Sequence, residues 1–217
     1  MNLRLFKIQN VLYRYAFFHV AFIPVFIGIF SLPVSAAEVL VPSFGVGKIN
    51  VRIYTDYFCP PCRSMEPKIE PILIELAKTG KVNITFIDTP FTRASVVYAK
   101  HFLYILNEKK DFDLALYART ELIGGAMKNI IEEPELQKYL IDKGFKFKPF
   151  EVKATLERLN NYLKEDKINA TPTCIIDRSG KKERFSGGPD IIKALNGLKE
   201  DLLKETEITN QNTKDIL

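Results

Sequence analysis

The amino-acid sequence predicts an α/β fold, a central mixed β-sheet flanked by helices and interrupted by an all-helical insertion. Three observations lead there. Segments with strand character come in two pairs, at 49–55 and 82–87 and again at 173–177 and 182–185. Between the pairs, from about residue 92 to 167, the periodic segments all have helical spacing. A single helical segment joins the first pair, which favours parallel strands and a right-handed crossover, whereas a short turn joins the second, which makes an antiparallel hairpin.

Taken in order, Ile49, Val51 and Ile53 alternate with other residues and mark the first strand. Asp56-Tyr-Phe-Cys-Pro-Pro-Cys62 follows, then a helix over Arg63 to Lys78 on which Met65, Ile69, Ile72, Leu73 and Leu76 recur at helical spacing, with Gly80 as the stop. Pro67 and Pro71 inside it are expected to bend it. Val82 to Ile87 is the second strand. Four helices are predicted in the insertion, at Ser95 to Leu106, Phe112 to Lys128, Pro134 to Lys143 and Phe150 to Lys164, punctuated by Gly124-Gly125, Glu133-Pro134 and Gly144. Thr173 to Asp177 and Lys182 to Phe185 form the hairpin around Arg178-Ser-Gly-Lys181. A closing helix carries Ile191, Ile192, Leu195, Leu198 and Leu202 on its apolar side, and the polar residues from about Glu205 onward are expected to fray.

The first 37 residues read differently from the rest. They hold Arg4, Lys7 and Arg14 but no acid, then an apolar run from Tyr15 to Phe30, then Ser31-Leu-Pro-Val-Ser-Ala-Ala37 with small residues placed for cleavage after Ala36 or Ala37. This is the layout of an export signal, residues 1–37, with the mature chain 38–217 as one domain. The alternative is an uncleaved membrane anchor, since about 20 apolar residues span a bilayer, although Pro24, Gly28 and Pro33 interrupt the stretch. The chain carries +5; without the three leader cations, 28 Lys and Arg against 26 Asp and Glu leave +2. No basic block or interleaved aromatic stripe remains to suggest nucleic acid binding.

Only three cysteines are present, Cys59, Cys62 and Cys174, too few for a disulfide-stapled scaffold. Cys59 and Cys62 form a Cys-x-x-Cys at a strand-to-helix turn. There the first sulfur meets the helix N-terminus, whose amides and dipole favour a thiolate, and the second lies one turn in, close enough to resolve a mixed disulfide. Haem attachment would require His after Cys62, where Arg63 stands, and structural zinc would need two further ligands. Neither a metal nor a cofactor is implied, and Cys59 and Cys62 are the predicted catalytic residues.

Tyr54-Thr-Asp-Tyr-Phe-Cys-Pro-Pro-Cys62, the helical insertion and Ala170-Thr-Pro-Thr173 together resemble the DsbA-like branch of the thioredoxin superfamily, over nearly all of residues 46 to 203. The resemblance implies a thioredoxin fold with an inserted helical subdomain and a periplasmic location. It also implies disulfide exchange with cysteine-containing exported proteins and with a membrane redox partner. It further implies that Pro172 is a cis-proline beside the cysteines, with Thr171 offering its backbone to a substrate peptide, so that Pro60, Pro61, Thr171 and Pro172 border the substrate.

The sequence departs from the family in two places. The buried acid usual six residues before the first cysteine is Ile53 here, leaving proton transfer to water or another group such as Asp56. Pro60-Pro61 supplies neither side-chain charge nor amide donor between the cysteines, which predicts a less stabilised Cys59 thiolate and a less oxidising pair than in members with His there. Thr before the proline occurs in isomerase-like and reductive relatives, so oxidase, isomerase and reductase, including reduction of apocytochrome c thiols, stay open, as does Cu(I) handling by thiolates. Cys174 reads as a small buried hydrophobe and His101 as a packing or surface residue.

Overall fold

A computed structural model describes residues 39–214, with side chains to residue 205; the predicted leader lies outside the described residues. Five strands form one mixed sheet: β1 (Ser43–Phe44), β2 (Ile49–Thr55), β3 (Val82–Asp88), β4 (Thr173–Arg178) and β5 (Lys181–Ser186), in the spatial order β1-β3-β2-β4-β5. β2 and β3 run parallel, joined across α1 (Pro60–Lys78), while β4 is antiparallel to both β2 and β5. The parallel pair therefore has the helical crossover that its geometry demands, and the hairpin a tight turn. Four helices lie between β3 and β4: α2 (Arg93–Glu108), α3 (Phe112–Met127), α4 (Glu133–Asp142) and α5 (Lys153–Glu165); α6 (Gly188–Lys214) closes the chain.

Register explains the two apolar layers. Val51, Ile53, Ile84, Phe86, Cys174 and Ile176 share one face, because Ile53 is opposite both Phe86 and Cys174. They pack with Met65, Ile69, Leu73 and Leu76 of α1, Ile191, Leu195, Leu198 and Leu202 of α6, and buried residues of α2 and α3. Each fully buried aliphatic side chain contributes about 1.5–3 kcal/mol there. On the other face, Tyr54, Ile87 and Ile175 pack against Leu159 of α5.

Several boundaries differ from the sequence-based expectation. α1 starts at Pro60 rather than Arg63, because prolines at its first two positions have φ preset for a helix and lose no intrahelical bond. It continues without a break through Pro67 and Pro71, both exposed. α5 begins at Lys153, not Phe150. Pro149 biases the residue before it away from helix, and Phe147 and Phe150 instead set their rings against His101 and Tyr104 of α2. α6 runs on to Lys214, past the fraying expected from Glu205. β1, not anticipated, pairs antiparallel with β3. Among the described residues no helix is long and apolar enough to cross a membrane.

Candidate active site

The site forms where β2 ends and α1 begins. After Thr55 the chain turns on Asp56, whose carboxylate accepts from the Phe58 amide at 2.7 Å and from the Phe91 amide at 3.2 Å. Asp56 thus holds the turn and ties it to the segment after β3, and both its oxygens are occupied by main-chain donors. Cys59 is the N-cap of α1, with extended backbone and no side-chain cap bond. An N-cap group ordinarily accepts from the second or third helical amide. The second is Pro61, which has none, so Pro60-Pro61 leaves Cys62 as the nearest residue able to donate.

The two sulfurs are 2.6 Å apart, the Cys62 thiol donating to Cys59 Sγ, and the Cys59 thiol reaches the Thr171 carbonyl at 3.5 Å. Cys59 is partly exposed, whereas Cys62 is buried. Desolvation, then the bond to Cys59, pushes the Cys62 thiol up to about 12. The pair is therefore asymmetric, one sulfur open to solvent and the other holding its proton.

The Thr171–Pro172 peptide bond is cis, and Pro172 is buried at the start of β4. Its carbonyl accepts from Gly187 at 3.0 Å, a residue at φ +84°, where a side chain would be strained. This bond links the Pro172 segment to the N-terminal end of α6. Upstream, Asp166 accepts from Arg52 Nε at 2.6 Å, Tyr54 Oη at 2.6 Å and Lys182 Nζ at 2.9 Å, so the chain entering residues 167–172 is fastened to β2 and β5. Pro60 and Pro61 are exposed beside Cys59. The chain thus brings Cys59, Cys62 and Thr171 into contact, with Pro60, Pro61 and Pro172 as their chain neighbours.

One turn along α1 from Cys62, at Glu66, begins a charged cluster that the sequence reading missed. Arg119 of α3, 2% exposed, donates to Glu66 of α1, to Asp88 at 2.9 Å and to Thr55 Oγ1 at 2.6 Å, and its guanidinium lies over the rings of Phe86, Tyr57 and Phe102. Tyr57 donates to Asp88 at 3.1 Å. Burial pushes Asp88 up against the opposing pull of Arg119, while the guanidinium, despite its own desolvation, is held charged by Glu66, Tyr57 and Asp88. The available signals were a lone Glu four residues after Cys62 on the apolar face of α1 and a lone Arg within the apolar run of α3.

Cys174, facing Ile53 and Phe185 in register, is completely buried, and desolvation pushes its thiol up to about 12. His101 is buried too, with Nδ1 on the Val97 carbonyl at 2.8 Å, as a packing residue of α2. Among the described residues no group of three or more His, Cys, Asp or Glu side chains is placed to hold a metal ion.

Comparisons with known proteins bear on this arrangement. The family model described as Thioredoxin matches residues 47–186. Among solved structures, a periplasmic thioredoxin-like protein from Salmonella enterica serovar Typhimurium is 21% identical, with a TM-score of 0.58 over 76% of this chain and 92% of that one. The catalytic domain of ScsC from Proteus mirabilis is 19% identical, TM-score 0.60, covering 78% and 92%. Alpha-DsbA1 of Wolbachia pipientis is 16% identical, TM-score 0.58, covering 78% and 93%. No curated protein matches the sequence significantly. With its Cys-x-x-Cys capping the first helix after a parallel strand, the chain belongs to the thioredoxin family and has the fold of the family's DsbA-like thiol-disulfide oxidoreductases, helical insertion included.

Proposed function

We propose that the chain is an exported thiol-disulfide oxidoreductase that exchanges disulfides with cysteine-containing proteins, Cys59 being the nucleophile and Cys62 the resolving thiol. The observation that carries this reading is the asymmetry of the pair: an accessible sulfur at a helix N-terminus and a buried, proton-retaining partner 2.6 Å away. In the oxidising direction a substrate thiolate attacks Cys59 Sγ of the Cys59–Cys62 disulfide. The bond between the two cysteines breaks, and Cys62 departs with the electron pair and takes up a proton. A second substrate thiolate then attacks the substrate sulfur bound to Cys59, releasing Cys59 as thiolate. The substrate has lost two electrons and the pair has gained them. Run backwards, the same steps reduce a substrate disulfide.

Pro60, Pro61, Thr171 and Pro172 border the place where the substrate sulfur must sit, and the Thr171 carbonyl already touches Cys59. Export rests on the leader at 1–37, which directs the chain to the periplasm, where a membrane redox partner restores the pair after each turnover; the likeness to a periplasmic thioredoxin-like protein supports this setting. The test is trapping. A Cys62→Ser variant should accumulate covalent adducts with exported proteins that dithiothreitol releases, a Cys59→Ser variant none, and the purified periplasmic protein should begin at Ala37 or Glu38. Equal adduct yields from both variants would overturn the assignment of nucleophile.

A further inference from the structure

One face of α1 bears a surface that shares only Pro60 with the border of the exchange site and runs on beyond it. Pro60, Arg63, Ser64, Pro67 and Lys68 follow one another at helical i, i+3, i+4 spacing and, with Met127 at the end of α3, line a groove of about 550 Å³. The groove starts at the residue after Cys59. Eight helical positions extend for about 12 Å, the reach of three or four extended residues. Its lining does not include Thr171 or Pro172, so it is separate from the border those residues provide.

The chemistry of the lining is selective. Met127 is 69% exposed and Pro60 and Pro67 are exposed as well, giving an apolar floor on which a flexible thioether can adapt to different side chains. Arg63 is fixed by a hydrogen bond from Nη1 to the Ala126 carbonyl at 3.5 Å, which sets its guanidinium next to Met127. No acidic residue lines the groove, and among the described residues neither Arg63 nor Lys68 has a carboxylate within ion-pair distance. The first turn of α1 holds no acid, so the positive end of the helix dipole adds to the same field. Two uncompensated cations over an apolar floor are complementary to a peptide carrying an apolar side chain and carboxylates.

We propose that this groove is a second recognition subsite, selecting polypeptide substrates whose reactive cysteine is flanked within three or four residues by an apolar side chain and a carboxylate. The inference rests on the exchange reading above and names its substrate class. The test uses the Cys62→Ser protein and two single-cysteine peptides, each activated as a mixed disulfide with thionitrobenzoate. The peptides are identical except for Leu-Asp-Glu or Leu-Lys-Lys beside the cysteine. The Cys59 thiolate attacks the peptide sulfur, a new disulfide joins peptide and Cys59, and thionitrobenzoate leaves with the electron pair, giving a colour that reports the rate.

Each rate is divided by that of the same peptide with free 2-mercaptoethanol, which removes differences in intrinsic reactivity. At low salt the acidic peptide should react about fivefold faster than the basic one, the preference should fade as salt rises, and an Arg63→Ala/Lys68→Ala variant should lose it. Equal normalised rates, or a preference that survives in the double variant, would overturn the subsite while leaving exchange intact. Bis(2-hydroxyethyl) disulfide, neutral and too small to reach the groove, separates the two readings. Absence of any Cys59 adduct with it would sink the exchange reading and the subsite together.

Discussion

Arg119 of the helical insertion and Asp88 at the end of β3 form a buried ion pair at 2.9 Å. Glu66 shares the same guanidinium, so α3 is joined to α1, one turn after Cys62, and to the sheet at the end of β3. Two carboxylates share one cation, and the cluster stays satisfied because Tyr57 and Thr55 supply the remaining hydrogen bonds.

Removal of that cation should therefore be costly. Arg119→Leu leaves Glu66 and Asp88 buried without compensation, and a loss of about 3–5 kcal/mol is expected at pH 7.5. The sign of its pH dependence follows. Burial already raises the Asp88 carboxyl against the pull of Arg119, and without that guanidinium Asp88 gains further affinity for protons in the folded state. A group whose folded value is raised loses stabilisation as pH rises, so the deficit should shrink between pH 7.5 and 5. Urea unfolding followed by far-UV circular dichroism measures this, the chain having no tryptophan. A deficit independent of pH would show that packing, not charge, dominates.

Pro61 is expected to limit the oxidising power of the pair, because it offers no amide at the second position of α1. Replacing it by His restores an amide at the second position of α1 and adds an imidazole beside Cys59. Both stabilise the thiolate by up to about 1 kcal/mol, so the reduction potential of the pair should rise by about 20 mV. The unaltered protein should lie well below the figure of about −120 mV typical of a strong oxidant, measured by equilibration with glutathione. An unchanged potential in Pro61→His would mean that the missing donor has no effect on the pair.

The sequential order of the elements and the helix that follows the cysteines were legible because each rests on local pattern: alternation in β2, turn chemistry at 178–181, and the helical spacing of Met65, Ile69, Leu73 and Leu76, although the reading began that helix at Arg63 and missed the paired prolines at its start. The two residues of β1 were not, being too few to show a period. Nor were the partners of Arg119, since periodicity shows that a charge lies on an apolar face but not which charges meet there. The hold of Asp56 on the turn was not legible either: a short carboxylate there is drawn to local amides, but the second of them, Phe91, comes from the segment after β3. Met127 enters the groove through the packing of α3 on α1, a tertiary fact without local trace.

Thiol reactivity should separate the three cysteines. With Cys62 and Cys174 both pushed up to about 12, the ionised fraction of either at pH 8 is about one in ten thousand, and both are buried. Iodoacetamide at pH 8 should therefore place one adduct on the reduced native protein, at Cys59, and three after denaturation, as read by mass spectrometry. Modification of Cys174 without denaturant would show that the central strand opens.

Asp166 should matter through the loop it anchors. Against desolvation, which pushes its carboxyl up, hydrogen bonds from Tyr54, Lys182 and Arg52 hold it below the usual carboxylate value. The depressed folded value gives stabilisation that is complete above the unfolded value near pH 3.9 and lost as pH falls through the folded one. Asp166→Asn keeps the shape but not the charge. It should cost about 2–3 kcal/mol at pH 7, the difference from the native protein closing as the pH drops below about 4. Because Asp166 fastens the segment leading to Thr171 and Pro172, the variant should also show faster amide hydrogen exchange over residues 167–172 than over β2. Uniform protection in the variant would place the anchor of that segment at the Gly187 bond to the Pro172 carbonyl instead.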